Sequence, residues 1–156
     1  MILLAAAGCA SFNEVRFSVE PSSLDYAQLR ISRASAVDGQ PETVRIDLSG
    51  SGFLEMTTGR SERVTDSFWR QSEDPVWQDM QRAHVMLSPG ETAAFFQQLV
   101  DLGTFDYKQP KENSPPPHDL AVLVAIGFKK RLILTSRADY RRIFDDLEAR
   151  CRDPLR

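Results

Sequence analysis

Histidine and cysteine, on which most metal centres and many nucleophilic sites are built, are scarce here: two of each in 156 residues. Cys9 and Cys151 lie at opposite ends, and no Cys/His cluster has the spacing of a zinc site. No acidic run matches a calcium-binding loop. A nearby serine could join His118-Asp119, at a loop-to-strand junction, but no nucleophile elbow of the G-x-S-x-G type is present, which argues against a hydrolytic site. Gly50-Ser51-Gly52 has neither the third glycine nor the strand-to-helix setting of a phosphate loop and reads as a turn. There is no excess of one charge either. Nineteen basic and 22 acidic residues are interspersed, net −3, where nucleic-acid binding favours a basic stripe. No apolar run approaches the ~20 residues of a spanning helix. These absences argue against an enzyme. They predict no catalytic residue, no metal, no cofactor, no nucleic acid and no small-molecule substrate.

What is present is an ordinary globular composition, 42% apolar and 26% charged, in a chain long enough for one domain with a real core. Its first eight residues differ from the rest. Met1 to Gly8 is uncharged and built of Ile, Leu, Ala and Gly, ending in small residues before Cys9, the character of a secretory signal. The run is short and has no basic start, which predicts that the signal begins upstream of Met1. Ser11 to Asp25 reads as a tether, with an early alternation at Val15, Phe17 and Val19 that Pro21-Ser22-Ser23 breaks. The expected division is a signal over 1–8, a cysteine and tether over 9–25, and a folded domain over 26–156.

Within the domain, alternating apolar positions predict strands at Tyr26 to Arg33, Thr43 to Leu48 and Phe53 to Thr58, the last two joined by the Gly50-Ser51-Gly52 turn. Arg82 to Leu87 is a further strand. Leu87 to Gly103 predicts a helix: Ser88 as N-cap, Pro89 at the first position, Glu91 closing a capping box, Gly103 as the stop. Phe95, Phe96, Leu99, Val100 and Leu102 form its apolar stripe. Leu120 to Phe128 alternates Val122, Val124, Ile126 and Phe128, with a second apolar face at Leu123 and Ala125 that marks an interior strand. Lys129-Lys130-Arg131 reads as a basic turn into a strand at Leu132 to Thr135. A last helix begins at Ser136 as N-cap, with Tyr140, Ile143, Phe144, Leu147 and Cys151 on one face and Asp146/Arg150 paired outside it. The order predicts an α+β fold: a single domain with an antiparallel sheet and two helices packed on one face.

Two stretches suit binding. Phe68, Trp69, Arg70 and Trp77 lie in a polar segment without core periodicity. They read as anchors of a partner-binding surface, or alternatively as caps on the sheet core. Lys108 to His118, stiffened by Pro115-Pro116-Pro117, is able to hold a fixed surface.

Two resemblances add to this. Ala6-Ala7-Gly8-Cys9 resembles the lipobox of bacterial lipoproteins. It implies cleavage before Cys9, a diacylglycerol on the Cys9 thiol and an acylated new amine, so that the chain meets the membrane through a lipid anchor. Several acyl chains on one residue make a firm anchor where one alone is marginal. Ala10 stands where an Asp would retain a lipoprotein at the inner membrane. The resemblance therefore implies the outer membrane, facing the periplasm or the cell surface, with another envelope protein or complex as partner. From Leu48 onward the layout also resembles emfourin, a proteinaceous inhibitor of thermolysin-like metalloproteases. The similarity lies in the LSGSGF hairpin turn (Leu48 to Phe53), the capped helix LSPGETAAFFQQLVDLGTF (Leu87 to Phe105) and HDLAVLVAI with its following basic turn and helix. It implies the same α+β fold and, as an alternative function, protease inhibition. The segment holding both tryptophans departs from that pattern, and no inhibitory residue carries over.

Overall fold

A computed structural model describes residues 18–37, 40–60, 77–108 and 119–153. Six antiparallel strands form one sheet in the order β4-β3-β2-β1-β5-β6: β1 is Gln28–Val37, β2 Gln40–Ser49, β3 Phe53–Arg60, β4 Gln78–Met86, β5 Leu120–Ile126 and β6 Lys129–Thr135. Helix α1, Pro89–Asp101, follows β4, and helix α2, Ala138–Arg152, follows β6.

The alternation read from the sequence separates the faces. Leu29 and Ile31 of β1, Val44, Ile46 and Leu48 of β2, Leu54 and Met56 of β3, Val122, Val124 and Ile126 of β5 and Ile133 of β6 are all buried. They form one core with Phe95, Phe96 and Leu99 of α1 and Tyr140, Ile143, Phe144, Leu147 and Cys151 of α2. Each such Leu, Ile or Phe contributes about 1.5–3 kcal/mol relative to exposure. Both helices therefore lie on one face, as expected for the α+β domain. Arg33, on the same face, lies over the Phe144 ring at 4.4 Å and meets Glu148 at 3.3 Å, joining β1 to α2. The core also extends before residue 26: Val19 and Leu24 are buried in it, and the Val19 amide donates to Gln97 Oε1 of α1 at 2.7 Å.

The start of α1 follows the predicted chemistry. Ser88 Oγ accepts from the Glu91 amide and Glu91 Oε2 accepts from the Ser88 amide at 3.0 Å. These bonds, the Ser88 backbone first, hold the Glu91 carboxyl down at about 2, with Arg150 assisting. After α1, Gly103 adopts φ 70°, a left-handed conformation that suits glycine.

Elsewhere the structure corrects the sequence reading. Helix α2 is capped at Arg137, not Ser136, and Thr135 Oγ1 accepts the Arg137 amide at 3.1 Å. Arg150 does not pair with Asp146; it reaches across to Glu91 at 2.5 Å and lies 5.3 Å from the centre of the Phe95 ring, tying α2 to α1. Lys129, Lys130 and Arg131 belong to strand β6, and the turn is Gly127-Phe128, with Gly127 at φ 56°. Phe128 therefore does not continue the buried row of β5: the strand stops at Ile126, and the phenyl ring stands fully in solvent.

Candidate functional site

With both helices on one face, no described helix covers the other. Its side chains align in rows set by the strand register. One row runs His84, Glu55, Asp47, Arg30, Leu123 and Leu132 across β4 to β6. A second runs Arg82, Thr57, Arg45, Ser32, Ala121 and Leu134. On β1 to β4 these are the positions between the core residues and most are polar, while β5 and β6 contribute Leu123, Leu132, Ala121 and Leu134; in the second row Ser32, Thr57, Ala121 and Leu134 are buried, so the first row is the more accessible of the two.

A groove of about 360 Å³ opens on this face, lined in part by Gln28, Arg30, Asp47, Glu55, Leu123 and Lys130. Asp47 and Glu55 face each other on neighbouring strands, an unfavourable pairing for like charges. Two arginines offset it: Arg30 Nε lies 2.6 Å from Asp47 Oδ1, and Arg45 Nε 3.0 Å from Oδ2. Glu55 is half-buried and Lys130 exposed, and neither has an ion pair among the described residues. Leu123 and Ala125 supply an apolar floor, and Phe53 stacks on His84 at 5.8 Å. Among the described residues the groove thus holds one acid and one base without an ion pair over an apolar floor, features able to complement a ligand's charge and apolar surface.

The predicted site residues have different fates. Trp77 lies beside this face at the head of β4. It is half-buried, with Arg45 5.6 Å from its ring centre, and a Cβ on Gly59 would come 3.1 Å from the indole. Its ring borders the second row and is not a free-standing anchor. Cys9, Phe68, Trp69, Arg70 and His118 lie outside the described residues. Asp119 is engaged, accepting from Arg141 Nη2 at 2.5 Å. No serine or cysteine among the described residues is hydrogen-bonded to a histidine. Cys151 lies in the core, where burial, with Glu148 assisting, pushes its thiol up to about 11.

Sequence reasoning passed over Arg30, Arg45, Asp47, Glu55 and Lys130. The signal was there: Arg45 and Asp47 alternate with Val44, Ile46 and Leu48, putting opposite charges on the solvent side of one strand. That four strands bring them together is a matter of register, which no single segment reveals. No protein-family model matches the chain, and no curated protein matches it in sequence.

Proposed function

We propose that the protein is a non-enzymatic envelope lipoprotein. A lipid on Cys9 tethers the α+β domain to the membrane, and the groove on the sheet face away from the helices binds another envelope protein. The observation that carries the binding role is the groove in which Glu55 and Lys130, over an apolar floor, have no ion pair among the described residues. The anchor rests on Ala6-Ala7-Gly8-Cys9, and the proposed address is the outer membrane on its periplasmic side.

Intact-mass spectrometry on protein from the native membrane fraction tests the anchor. The expected species begins at Cys9, carries added acyl mass and disappears in Cys9→Ser; an unmodified chain that retains Met1 overturns it. A photo-crosslinking residue at Gln28, inside the groove, tests the face. We expect capture of one envelope protein, lost in Glu55→Lys and in Lys130→Glu. Capture unchanged by both substitutions removes the groove from the proposal.

A second reading, inhibition of a thermolysin-like metalloprotease, draws support from the element order after Leu48: hairpin, capped helix, hairpin and helix. Stoichiometric slowing of such a protease, with no membrane partner captured, would favour it over the first.

A further inference from the structure

The outer strands of the sheet are β4 and β6, and among the described residues nothing pairs with the far side of either. An unpaired strand edge is a template for another strand unless charge or irregularity blocks it. β6 opens with Lys129, Lys130 and Arg131, adjacent bases that resist a second strand of the same kind. β4 carries only Asp79 and Arg82 as full charges, and Asp79 is held by Arg60. Its irregularity lies at its start: the register shifts between Thr58 and Arg60, and Asp79 takes φ 52°. From Gln81 to Met86 the register with β3 runs without a break, and Met80, Arg82, His84 and Met86 are all exposed.

The ladder with β3 fixes which backbone groups of β4 point outward. One step beyond the Phe53–Met86 pair, the Leu87 amide donates to the Gly52 carbonyl at 2.9 Å. Hydrogen-bonded pairs alternate along an antiparallel ladder. Val85 and Ala83 therefore also bond to β3, while Met86, His84 and Arg82 turn their N–H and C=O groups away from it.

The side chains fit this edge to a second copy of itself. Two of the large exposed apolar residues, Met80 at 46% and Met86 at 61%, lie on β4 at equal distances either side of Ala83. Antiparallel pairing of two β4 strands about Ala83 sets Met80 of each chain against Met86 of the other, and Arg82 against His84. The small Ala83 side chain then lies on the axis, and Arg82 and His84 exchange backbone hydrogen bonds on both sides of it. Centring on Arg82 instead would put two arginines face to face, and centring on His84 would place Met80 beyond the strand, opposite Ser88.

We propose that the protein forms a two-fold dimer through β4, joining two six-stranded sheets edge to edge about Ala83. Paired residues share a face, so both helix layers lie on one side of the joined sheet and both grooves on the other. A symmetric contact of this kind closes at two chains. It depends neither on the Cys9 anchor nor on the occupant of the groove, whose lining runs from Phe53 and Glu55 of β3 to Lys130 of β6.

Sedimentation velocity on the full chain carrying Cys9→Ser, so that no acyl group drives association, tests this. We expect the mass to rise from one chain to two with concentration. His84→Pro removes an outward N–H and leaves the β3 ladder intact, so it should fold and stay a single chain. Met80→Lys/Met86→Lys sets like charges opposite each other and should weaken association at least about tenfold. Met80→Glu/Met86→Lys sets opposite charges at the same places and should keep the dimer. Circular dichroism confirms that each variant is folded. A single chain at every concentration overturns the proposal, as does a dimer that survives either His84→Pro or Met80→Lys/Met86→Lys unchanged. Loss of the dimer in Met80→Glu/Met86→Lys overturns the Ala83 register. A mass that keeps growing past two chains overturns the symmetric contact, because β4 would then be meeting β6 and the assembly would not close.

Discussion

Two threonines, both without solvent exposure, make opposite predictions for one substitution. Thr104 Oγ1 donates to the Leu99 carbonyl in the last turn of α1 at 2.5 Å. That commits its only proton, so the buried Tyr140 hydroxyl, 2.9 Å away, is the donor to Thr104 Oγ1. Thr104→Val keeps the shape but strands the Tyr140 hydroxyl and takes a partner from Leu99. Leaving buried polar groups unpaired costs about 1–3 kcal/mol each, so a loss of about 2–4 kcal/mol is expected for the site. Thr57 Oγ1 is buried on the opposite sheet face with no hydrogen-bond partner. Thr57→Val removes an uncompensated hydroxyl and is expected to gain about 1 kcal/mol. At about 2–4 °C per kcal/mol for a chain of this size, thermal unfolding should show Thr104→Val well below the parent and Thr57→Val slightly above it. Tyr140→Phe should cost about 1 kcal/mol, because Thr104 keeps its bond to Leu99. The double variant with Thr104→Val should then cost less than the sum of the two. Equal losses at Thr57 and Thr104, or strict additivity of the pair, would refute this account.

Cys151 should resist modification: in the Cys9→Ser chain at pH 8, a maleimide should label it slowly when native and quickly in denaturant, and equal rates would place it outside the core. Its thiol is raised from 9.0 to about 11 in the folded state, so its contribution to stability is complete below pH 9 and is lost as pH climbs toward 11. Burial raises the Tyr140 hydroxyl as well, despite its bond to Thr104, adding a loss of the same sign above pH 10; denaturant midpoints across this range should fall, and a rise would contradict it. At Gly50 an added Cβ would lie 1.6 Å from the Leu24 carbonyl oxygen, whereas at Gly90 nothing lies within 4 Å. Gly50→Ala should therefore cost about 3 kcal/mol or more and Gly90→Ala should be neutral or better, and similar midpoints for the two would show that the Leu24 loop yields.

Local chemistry was legible along the chain. The capping box at Ser88 and Glu91, the stop at Gly103, the stripe from Tyr140 to Cys151 and the hairpin at Gly50–Gly52 depend on neighbours within a few residues, and all are found where the pattern placed them. The same alternation made the α+β class readable, because a sheet with one buried face needs helices to cover it. Contacts between distant segments were not legible. Arg150 choosing Glu91 over Asp146, Thr135 serving the start of α2, and Asp47 lying between two arginines from different strands all follow from packing and register. Phe128 is the sharpest case. Its spacing continues the buried row of β5, yet one left-handed glycine ends the strand before it and turns the ring into solvent. Periodicity records which residues share a face; which face is covered, and where a strand stops, is decided by what the whole chain brings alongside.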